Sequence, residues 1–272
     1  MKKKVKIYFS FTLNQLKRQA SYRGAFYLFV LSTLFGSFIN YYLWMAIYRN
    51  SSTGLIGGLS KEEMVIYVFM SYITSYLVMV EISNDIGNDV VKGNVAGNLI
   101  KPIDYRIYLI FNSLGAVIYR LVAPCIFVWV GLEVYRMFVL KIPMVSVVNM
   151  VFYIISTIAS YLIYILFDFC FGMIAFYTTY IFGISIVKNS ILSFLTGQLI
   201  PLTLFPMYIQ RVLGILPFSS MVFSPVMIYL GKYSVEETIF ILVRQMIWIV
   251  ILYVVGSLIW KKVTKRLVIL GG

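Results

Sequence analysis

Few residues of this sequence could carry out chemistry on a substrate. The chain has no histidine, which excludes an imidazole base, a histidine metal ligand and a Ser-His-Asp triad. Cys125 and Cys170 both lie in hydrophobic stretches and form no CxxC pair, so they are predicted to be core residues. The run Lys188-Asn189-Ser190 lacks the glycines whose backbone amides would cradle a phosphate. We therefore expect no metal site, no catalytic site and no ATP bound by this chain.

The charged residues with an informative spacing lie in the segment 81–106. Glu81, Asp85 and Asp89 recur every four residues, so a helix would carry them as one acidic stripe, with Lys92 able to pair with Asp89. Like charges at this spacing destabilise a helix by roughly 0.2–0.5 kcal/mol per pair. The stripe therefore predicts a basic binding partner, and a solvated loop with ordinary charges is the alternative.

Glycine and proline predict where that helix ends. Gly93 and Gly97 favour a helix end, and Pro102 pushes Lys101 towards an extended conformation. We expect a short helix followed by an irregular stretch that leads into the next hydrophobic run.

The elements that position these residues follow from the composition. Hydrophobic residues make up 61% of the chain and charged residues 12%, and the mean hydropathy is +0.91. A soluble domain has about 25% charged residues, so this balance predicts an all-α integral membrane protein with 1–272 as a single transmembrane domain. The net charge of +13 is then explained by cations at the cytoplasmic edge of a membrane rather than by nucleic acid.

Six hydrophobic stretches are predicted to cross the membrane, which requires about 20 apolar residues each. They are 24–48, 64–80, 107–132, 143–167, 189–210 and 238–260. Two further apolar stretches raise the number that hydropathy allows to eight. Pro217 and Pro225 indicate that 212–230 belongs to a re-entrant or extracellular hairpin over 209–237. The stretch 169–187 suits a helix extension at the cytoplasmic interface.

The distribution of positive charges predicts the orientation. With both ends inside, the cytoplasmic segments carry 15 of the 23 Lys and Arg residues and the outer segments carry six. Both termini are therefore expected in the cytoplasm, which requires an even number of spans. Apolar residues of 3–22 recur at helical spacing and predict an amphipathic helix in the membrane interface; a solvated basic tail is the alternative.

Two arginines interrupt the predicted spans. An arginine at the centre of a membrane helix costs at least about 2.5–3.5 kcal/mol, so Arg120 must reach a partner or water. It either snorkels to the cytoplasmic headgroups or forms an ion pair with Asp168 or Glu81. Arg244, near the outer end of the last span, is expected to be a snorkelling anchor.

Pro201 and Pro206 lie within the predicted fifth span. Each proline lacks a backbone N–H and disrupts the preceding turn, so we expect a kinked helix with freed carbonyl groups. Such carbonyls are tolerated in a membrane only where neighbouring helices or a water-lined cavity satisfy them.

The segment 81–106 and the C-terminal half resemble a known family. Lys92-Gly93-Asn94-Val95, followed by Leu99-Ile100-Lys101-Pro102-Ile103, resembles the loop between the second and third spans of bacterial ABC exporter permeases of the type-two, six-helix class. Gly197-Gln198-Leu199-Ile200-Pro201-Leu202 with Phe205-Pro206 is similar to that family's G-x-x-I-P-L-x-x-F-P motif. Later residues follow in family order: Leu216-Pro217-Phe218, Pro225, Leu230-Gly231, Gln245, Trp248 and Gly271-Gly272.

The resemblance implies a permease that pairs with an identical or homologous permease chain and carries a separate ATPase subunit, which binds ATP and Mg. The loop would be a coupling helix seated on that ATPase, with Glu81, Asp85, Asp89, Lys92, Gly93, Leu99, Lys101 and Pro102 as its coupling residues. The fifth-span motif would be an outer gate near the dimer axis, with the exit path beside Leu199, Pro201, Leu204, Phe205 and Pro206.

The function implied by the resemblance is ATP-driven export of an amphipathic or hydrophobic compound, such as a drug, a peptide antibiotic or a lipid-like molecule, across a bacterial plasma membrane. An ion-coupled secondary transporter and a membrane immunity protein without transport are the alternatives. Three acids, Glu81, Glu133 and Asp168, lie close to the predicted spans, and none is clearly at the midplane. Proton coupling needs a titratable group there, so the secondary transporter is disfavoured.

Overall fold

The structure is a computed structural model that describes residues 2–21, 23–51, 54–95, 97, 103–178 and 181–270. Its α-helices in these ranges are α1 (Lys2–Ser21), α2 (Arg23–Arg49), α3 (Lys61–Val78), α4 (Ser83–Val91), α5 (Tyr105–Arg120), α6 (Ile126–Phe138), α7 (Val147–Gly172), α8 (Phe182–Leu195), α9 (Met207–Ile215), α10 (Phe223–Tyr229) and α11 (Val235–Leu270). Shorter elements are the antiparallel hairpin of β1 (Leu55–Ile56) and β2 (Leu59–Ser60), a π-helical turn (Leu121–Cys125), and 3-10 turns at Met173–Phe176, Leu202–Leu204 and Pro217–Ser220.

Three helical stretches of the described residues are long and apolar enough to cross a membrane. They are Lys61–Val91, Val147–Phe176 and Val235–Lys265, and their most apolar windows have mean hydropathies of 1.7, 2.1 and 2.3. Apart from the two-residue strands of the hairpin, the regular structure of the described residues is helical, as the composition predicts. The number of six spans stays a prediction.

Helix α3 lies at the centre of the bundle. It packs against α2, α6, α7 and α10, and most of its side chains are buried. Its first turn is fixed by a capping box, in which the Ser60 hydroxyl accepts a hydrogen bond from the Glu63 N–H and the Glu63 carboxylate accepts one from the Ser60 N–H. A helix surrounded in this way is shielded from lipid by the rest of the chain.

Helices α5 and α6 form one continuous rod through the π-helical turn at Leu121–Cys125. Pro124 lies inside this turn, where it has no N–H to donate and its ring would clash with a carbonyl in a regular α-helix. The wider π turn accommodates the proline without ending the helix. The predicted third span, 107–132, is therefore helical throughout, with a bulge directly after Arg120.

Helix α1 packs along α5. The Thr12 hydroxyl donates a hydrogen bond to the carbonyl oxygen of Phe111 at 2.6 Å. A Cβ atom at Gly115 would lie 2.3 Å from the carbonyl oxygen of Thr12, so the close approach of the two helices requires a glycine there. The helix predicted over 3–22 is confirmed, and its place in the membrane interface stays a prediction.

The chain between the fourth and fifth predicted spans differs from the prediction. The segment 169–187 is not one interfacial extension: α7 ends at Gly172, a 3-10 turn reaches Phe176, and α8 begins at Phe182. Hydropathy cannot distinguish a continuing helix from two helices joined by a short turn, because both are apolar.

The prediction of a kinked fifth span over 189–210 is also wrong. Helix α8 ends at Leu195, and Gly197 adopts a φ of +80°, a left-handed conformation that stops a helix and suits glycine. Pro201 and Pro206 follow in non-helical chain, each directly before a new helical turn. The prolines therefore begin new elements instead of bending an old one.

The predicted hairpin over 209–237 is built from α9, the turn at Pro217–Ser220 and α10. Helix α10 is buried along its whole length and packs against α7 and α3. Enclosure by neighbouring helices fits both forms of this prediction, so the choice between a re-entrant and an extracellular hairpin stays open.

Candidate functional site: a buried cluster between the cytoplasmic loop and the gate segment

Asp168 anchors the start of α4 to α7. Its side chain is fully buried, and its Oδ2 atom accepts hydrogen bonds from the backbone N–H groups of Ile82 and Ser83 at 2.7 and 2.8 Å. These N–H groups belong to the first turn of α4, where the helix has no other side-chain cap. A carboxylate at a helix N-terminus also interacts favourably with the helix dipole.

Lys188 of α8 completes this cluster. Its ammonium group forms an ion pair with Asp168 and donates a hydrogen bond to the Ser83 hydroxyl at 3.2 Å. Asp168, Lys188 and Ser83, named here the anchor cluster, thus connect α7, α8 and α4 through buried polar groups. Sequence reasoning placed Lys188 at the cytoplasmic interface and missed this pairing, although the two charges flank the apolar stretch 169–187.

Glu81 faces into the protein and lies before α4. One carboxylate oxygen accepts a hydrogen bond from the Asn84 amide and the other from the Asn189 amide, both at 2.7 Å. The predicted acidic stripe therefore does not include Glu81, because α4 begins only at Ser83. Asn189 belongs to α8, so Glu81 adds a second link between the loop 81–106 and that helix.

Of the other residues predicted to contact an ATPase, some contact this chain and others are exposed. Asp89 accepts a hydrogen bond from the Tyr105 hydroxyl at 2.9 Å, whereas Asp85 and Lys92 are exposed. Gly93 has a φ of +70° and follows the end of α4, as predicted. The same prediction is wrong for Gly97, which is itself helical. The predicted coupling residues Leu99, Lys101 and Pro102 lie outside the described residues.

The far end of the loop is fixed at the start of α5. Asp104 caps this helix by accepting hydrogen bonds from the N–H groups of Arg106 and Ile107, and its own N–H donates to the Tyr8 hydroxyl of α1 at 2.8 Å. Its carboxylate also pairs with the Arg106 guanidinium at 3.1 Å. Partial burial raises the pKa of Asp104, but the hydrogen bonds and charge of Arg106 outweigh this effect and lower the pKa below its ordinary value.

The segment 196–206, named here the gate segment after the role that the resemblance implies, is held by α2 and α3. The carbonyl oxygens of Gly197, Gln198 and Leu199 accept side-chain hydrogen bonds, and the donors are Tyr67, Ser71 and Asn40 respectively. Helices of the same chain therefore satisfy these irregular carbonyls.

The predicted exit-path residues occupy one stretch of this segment. Pro201 is buried, Leu199, Leu204 and Phe205 are half-buried, and Pro206 is exposed. The hairpin of β1 and β2 approaches them closely, because a Cβ at Gly57 would lie 2.7 Å from the side chain of Leu204. The amide of Gln210 donates hydrogen bonds to the carbonyls of Thr203 and Phe205 at 3.0 and 2.7 Å.

The two arginines of the predicted spans bind backbone carbonyls. The Arg120 guanidinium donates to the carbonyls of Tyr76 and Met79 at 2.8 and 3.3 Å, at the C-terminus of α3. The predicted alternative of an ion pair with Asp168 or Glu81 is wrong, because neither carboxylate lies within 4.0 Å of the Arg120 guanidinium. Asp168 pairs with Lys188, and Glu81 binds two asparagines. Arg244 donates to the carbonyl of Gly214 and to the Ser224 hydroxyl, so it ties α11 to the hairpin instead of snorkelling outwards.

A second buried ion pair lies in α6. Glu133 and Arg136 are 3.6 Å apart, and the Tyr229 hydroxyl of α10 donates a hydrogen bond to Glu133. The Trp129 indole N–H in turn donates to the Tyr229 hydroxyl at 3.0 Å. All three acids that sequence analysis places near the spans, Glu81, Glu133 and Asp168, therefore have polar partners.

The fold and the site define an all-α protein with apolar helices of membrane-spanning length, a polar loop anchored between them and a proline-rich break in the bundle. The family model described as ABC-2 family transporter protein matches residues 28–271, and the chain belongs to this family. It is a membrane protein of a transporter family, as the resemblance in its motifs implies. No curated protein matches the chain significantly.

Proposed function

We propose that this protein is the permease subunit of an ATP-driven ABC exporter that moves an amphipathic or hydrophobic compound out of the cell. Membership of the ABC-2 transporter family supports this function. In this proposal a multi-pass permease with six spans and cytoplasmic ends lies in the bacterial plasma membrane. A separate ATPase subunit binds ATP and Mg, and a second permease chain completes the transporter.

The observation that carries the proposal is the anchor cluster. It joins α4, the predicted coupling helix, to α8 by a buried ion pair and the hydrogen bond from Lys188 to Ser83. Helix α8 leads directly into the gate segment at Gly197. A movement of α4 imposed by a bound ATPase would therefore be transmitted to α8 and from there, through Gly197, to the gate segment.

The acidic side chain exposed on α4 supports a basic partner surface. Asp85 is solvent-exposed, and the stripe is shorter than predicted because Glu81 is engaged by two asparagines. Asp85 is an exposed acid of α4 for which the described residues provide no hydrogen bond or ion pair, so contact with an ATPase should depend on it most.

Pull-down of the full-length permease tests this proposal. We expect a protein with a P-loop to co-purify with the wild-type chain and to be lost from the Asp85→Lys variant, because the reversed charge repels a basic groove. Glu236→Lys is the matched control: Glu236 is an exposed acid in the first turn of α11, so its reversal should leave co-purification unchanged. If no P-loop protein accompanies the wild-type permease, the proposed ATP coupling is wrong.

A further inference from the structure

A polar cavity of about 570 Å³ lies between α1, α3, α5 and the gate segment. Its volume is in the range of small-molecule sites, about 300–1,000 Å³. The charged and amide side chains that line it include Gln15, Arg18, Glu81, Asp85, Arg120 and Gln198. The cavity thus extends from the predicted cytoplasmic loop to the gate segment.

Arg120 is held rigidly in the wall of this cavity. Two of its hydrogen bonds go to the carbonyls of Tyr76 and Met79, and its guanidinium lies 4.6 Å from the centre of the Tyr76 ring. A guanidinium has five N–H donors, and these contacts use only one of its nitrogen atoms. Donors therefore remain on a side chain whose position is already fixed.

The charge of Arg120 is not neutralised by direct contact with an acid. Among the described residues, no carboxylate lies within 4.0 Å of its guanidinium. Glu81 lines the same cavity, but both of its oxygens accept hydrogen bonds from asparagines. A second cation, Arg18 of α1, and the acid Asp85 of α4 also line the cavity, and these two interact electrostatically with each other.

We propose that this cavity binds the anionic headgroup of an amphiphile, a phosphate, sulfate or carboxylate, through Arg120. A guanidinium matches these groups with two parallel hydrogen bonds, and prior immobilisation lowers the entropy lost on binding. The inference rests on the proposed transport function and names the class of compound that the permease would accept.

The surroundings of the cavity favour an amphiphile over a free anion. Ser32 of α2 belongs to the cavity wall, and the neighbouring residues Leu28, Leu31 and Phe35 are exposed apolar side chains. A ligand whose headgroup reaches Arg120 can therefore leave its apolar tail against this surface of α2 and the adjoining lipid.

Binding to the full-length permease in phosphatidylcholine nanodiscs tests the proposal. The probes are dodecyl phosphate, dodecyltrimethylammonium and inorganic phosphate, titrated calorimetrically with empty nanodiscs as background. We expect saturable binding of dodecyl phosphate. Dodecyltrimethylammonium should bind more weakly by about tenfold or more, because it cannot accept the charge-assisted hydrogen bonds of Arg120. Inorganic phosphate should also bind more weakly by about tenfold or more, because it has no apolar tail to bury. Equal binding of the cationic probe would overturn the proposal, and equal binding of inorganic phosphate would show a site for a free anion instead.

Two variants locate the binding site. Arg120→Gln should weaken dodecyl phosphate binding by about tenfold or more. Because Arg120 also binds carbonyls of α3, the nearly isosteric Asn112→Asp is a second variant that adds a negative charge to the cavity wall and should weaken binding too. Arg211→Gln, at an exposed position of α9, is the matched control and should bind normally.

The proposal is wrong if both cavity variants, folded as judged by their thermal midpoints, bind dodecyl phosphate like the wild-type chain. If Arg120→Gln does not fold, dodecyl phosphate binding by Asn112→Asp alone decides whether the proposal is correct. No ATPase takes part in this measurement, so its failure is distinct from the failure of co-purification that would disprove ATP coupling.

Discussion

At the scale of single residues, the buried charges determine how the loop 81–106 is attached to the helices. Removing two charges from water is costly, and the Asp168–Lys188 pair offsets that cost through mutual attraction and through the N–H groups of Ile82 and Ser83. Breaking such a pair by replacing one partner costs about 3–5 kcal/mol, whereas replacing both partners can be nearly neutral. The pair therefore specifies where α4 lies more than it adds to stability.

The first prediction concerns Lys188→Met, which leaves the Asp168 carboxylate buried without its cation. We expect a clear fall in the thermal midpoint of the permease in nanodiscs. Unfolding is monitored by the reaction of a thiol dye with Cys125, which is buried in the folded protein. The double variant Asp168→Asn with Lys188→Met should recover most of the loss, because no uncompensated charge remains.

Lys232→Met is the matched control for this prediction. Lys232 pairs with Glu63 at 2.7 Å, but the two side chains are 27% and 29% exposed, so the pair should contribute about 1 kcal/mol or less. A midpoint for Lys188→Met no lower than that of Lys232→Met would show that the anchor cluster has no structural role.

At the scale of elements, the break after α8 separates a helix from the gate segment. Gly197 has a φ of +80°, and a Cβ there would lie 3.0 Å from both the Tyr67 hydroxyl and the Cβ of Phe223. The Tyr67 hydroxyl also donates a hydrogen bond to the Gly197 carbonyl. Backbone conformation and side-chain packing therefore both require glycine at this position.

The second prediction is that Gly197→Ala destabilises the permease by about 1–2 kcal/mol, the usual cost of a side chain in the left-handed region. Gly183→Ala is the control, because Gly183 lies in α8, where an added Cβ would meet no neighbouring atom within 4 Å, and alanine favours a helix by about 1 kcal/mol over glycine. The two thermal midpoints should move in opposite directions. If Gly197→Ala leaves the thermal midpoint unchanged, the backbone at this position tolerates a right-handed conformation.

The sequence predicts those elements that depend on local pattern. The helix over 3–22 follows from apolar periodicity, and the helix end at Gly93 follows from the conformational freedom of glycine. The end of α8 at Leu195 is missed because hydropathy continues through the break, although Gly197 followed by Pro201 is itself a pattern typical of a helix end.

Long-range pairing is the part of the site that the sequence leaves open. A charged side chain inside a membrane requires a partner. The spacing in the sequence allows more than one acid as the partner of Arg120 or of Lys188. Packing decides the outcome: Lys188 reaches Asp168, while Arg120 reaches carbonyls at the end of α3. The cavity behind Arg120 is likewise a product of how four elements pack, which no single stretch of sequence encodes.

At the scale of the whole molecule, exposed apolar surface is extensive. The most apolar window of α11 is only 22% buried, and α2, α8 and α9 also expose large apolar side chains. Lipid can cover such surface, and so can a second permease chain. The carbonyls of the gate segment do not decide between them, since Asn40, Tyr67 and Ser71 of the same chain already satisfy three of them.

The last prediction tests whether lipid or a second permease chain covers the exposed apolar surface beside the gate segment. In the proposed arrangement of six spans, one chain has too few helices to enclose a path for a sizeable amphiphile, so we expect two chains to meet beside the gate segment. Met207 begins α9 directly after Pro206 and is 68% exposed, which makes it a better probe of this contact than the half-buried Leu204 or Phe205. In a background with Cys125 and Cys170 replaced by alanine, Met207→Cys should form a disulfide between two permease chains.

Phe240→Cys is the matched control for that crosslink, because Phe240 of α11 is 71% exposed, much like Met207, but lies outside the gate segment. It should give no crosslinked dimer under the same oxidation. Addition of ATP with the partner ATPase should change the yield at Met207→Cys, since movement of α4 is proposed to reach the gate segment through α8. Equal crosslinking at both positions, or none at Met207→Cys in a functional transporter, would place the second chain elsewhere and remove the gate segment from the dimer axis.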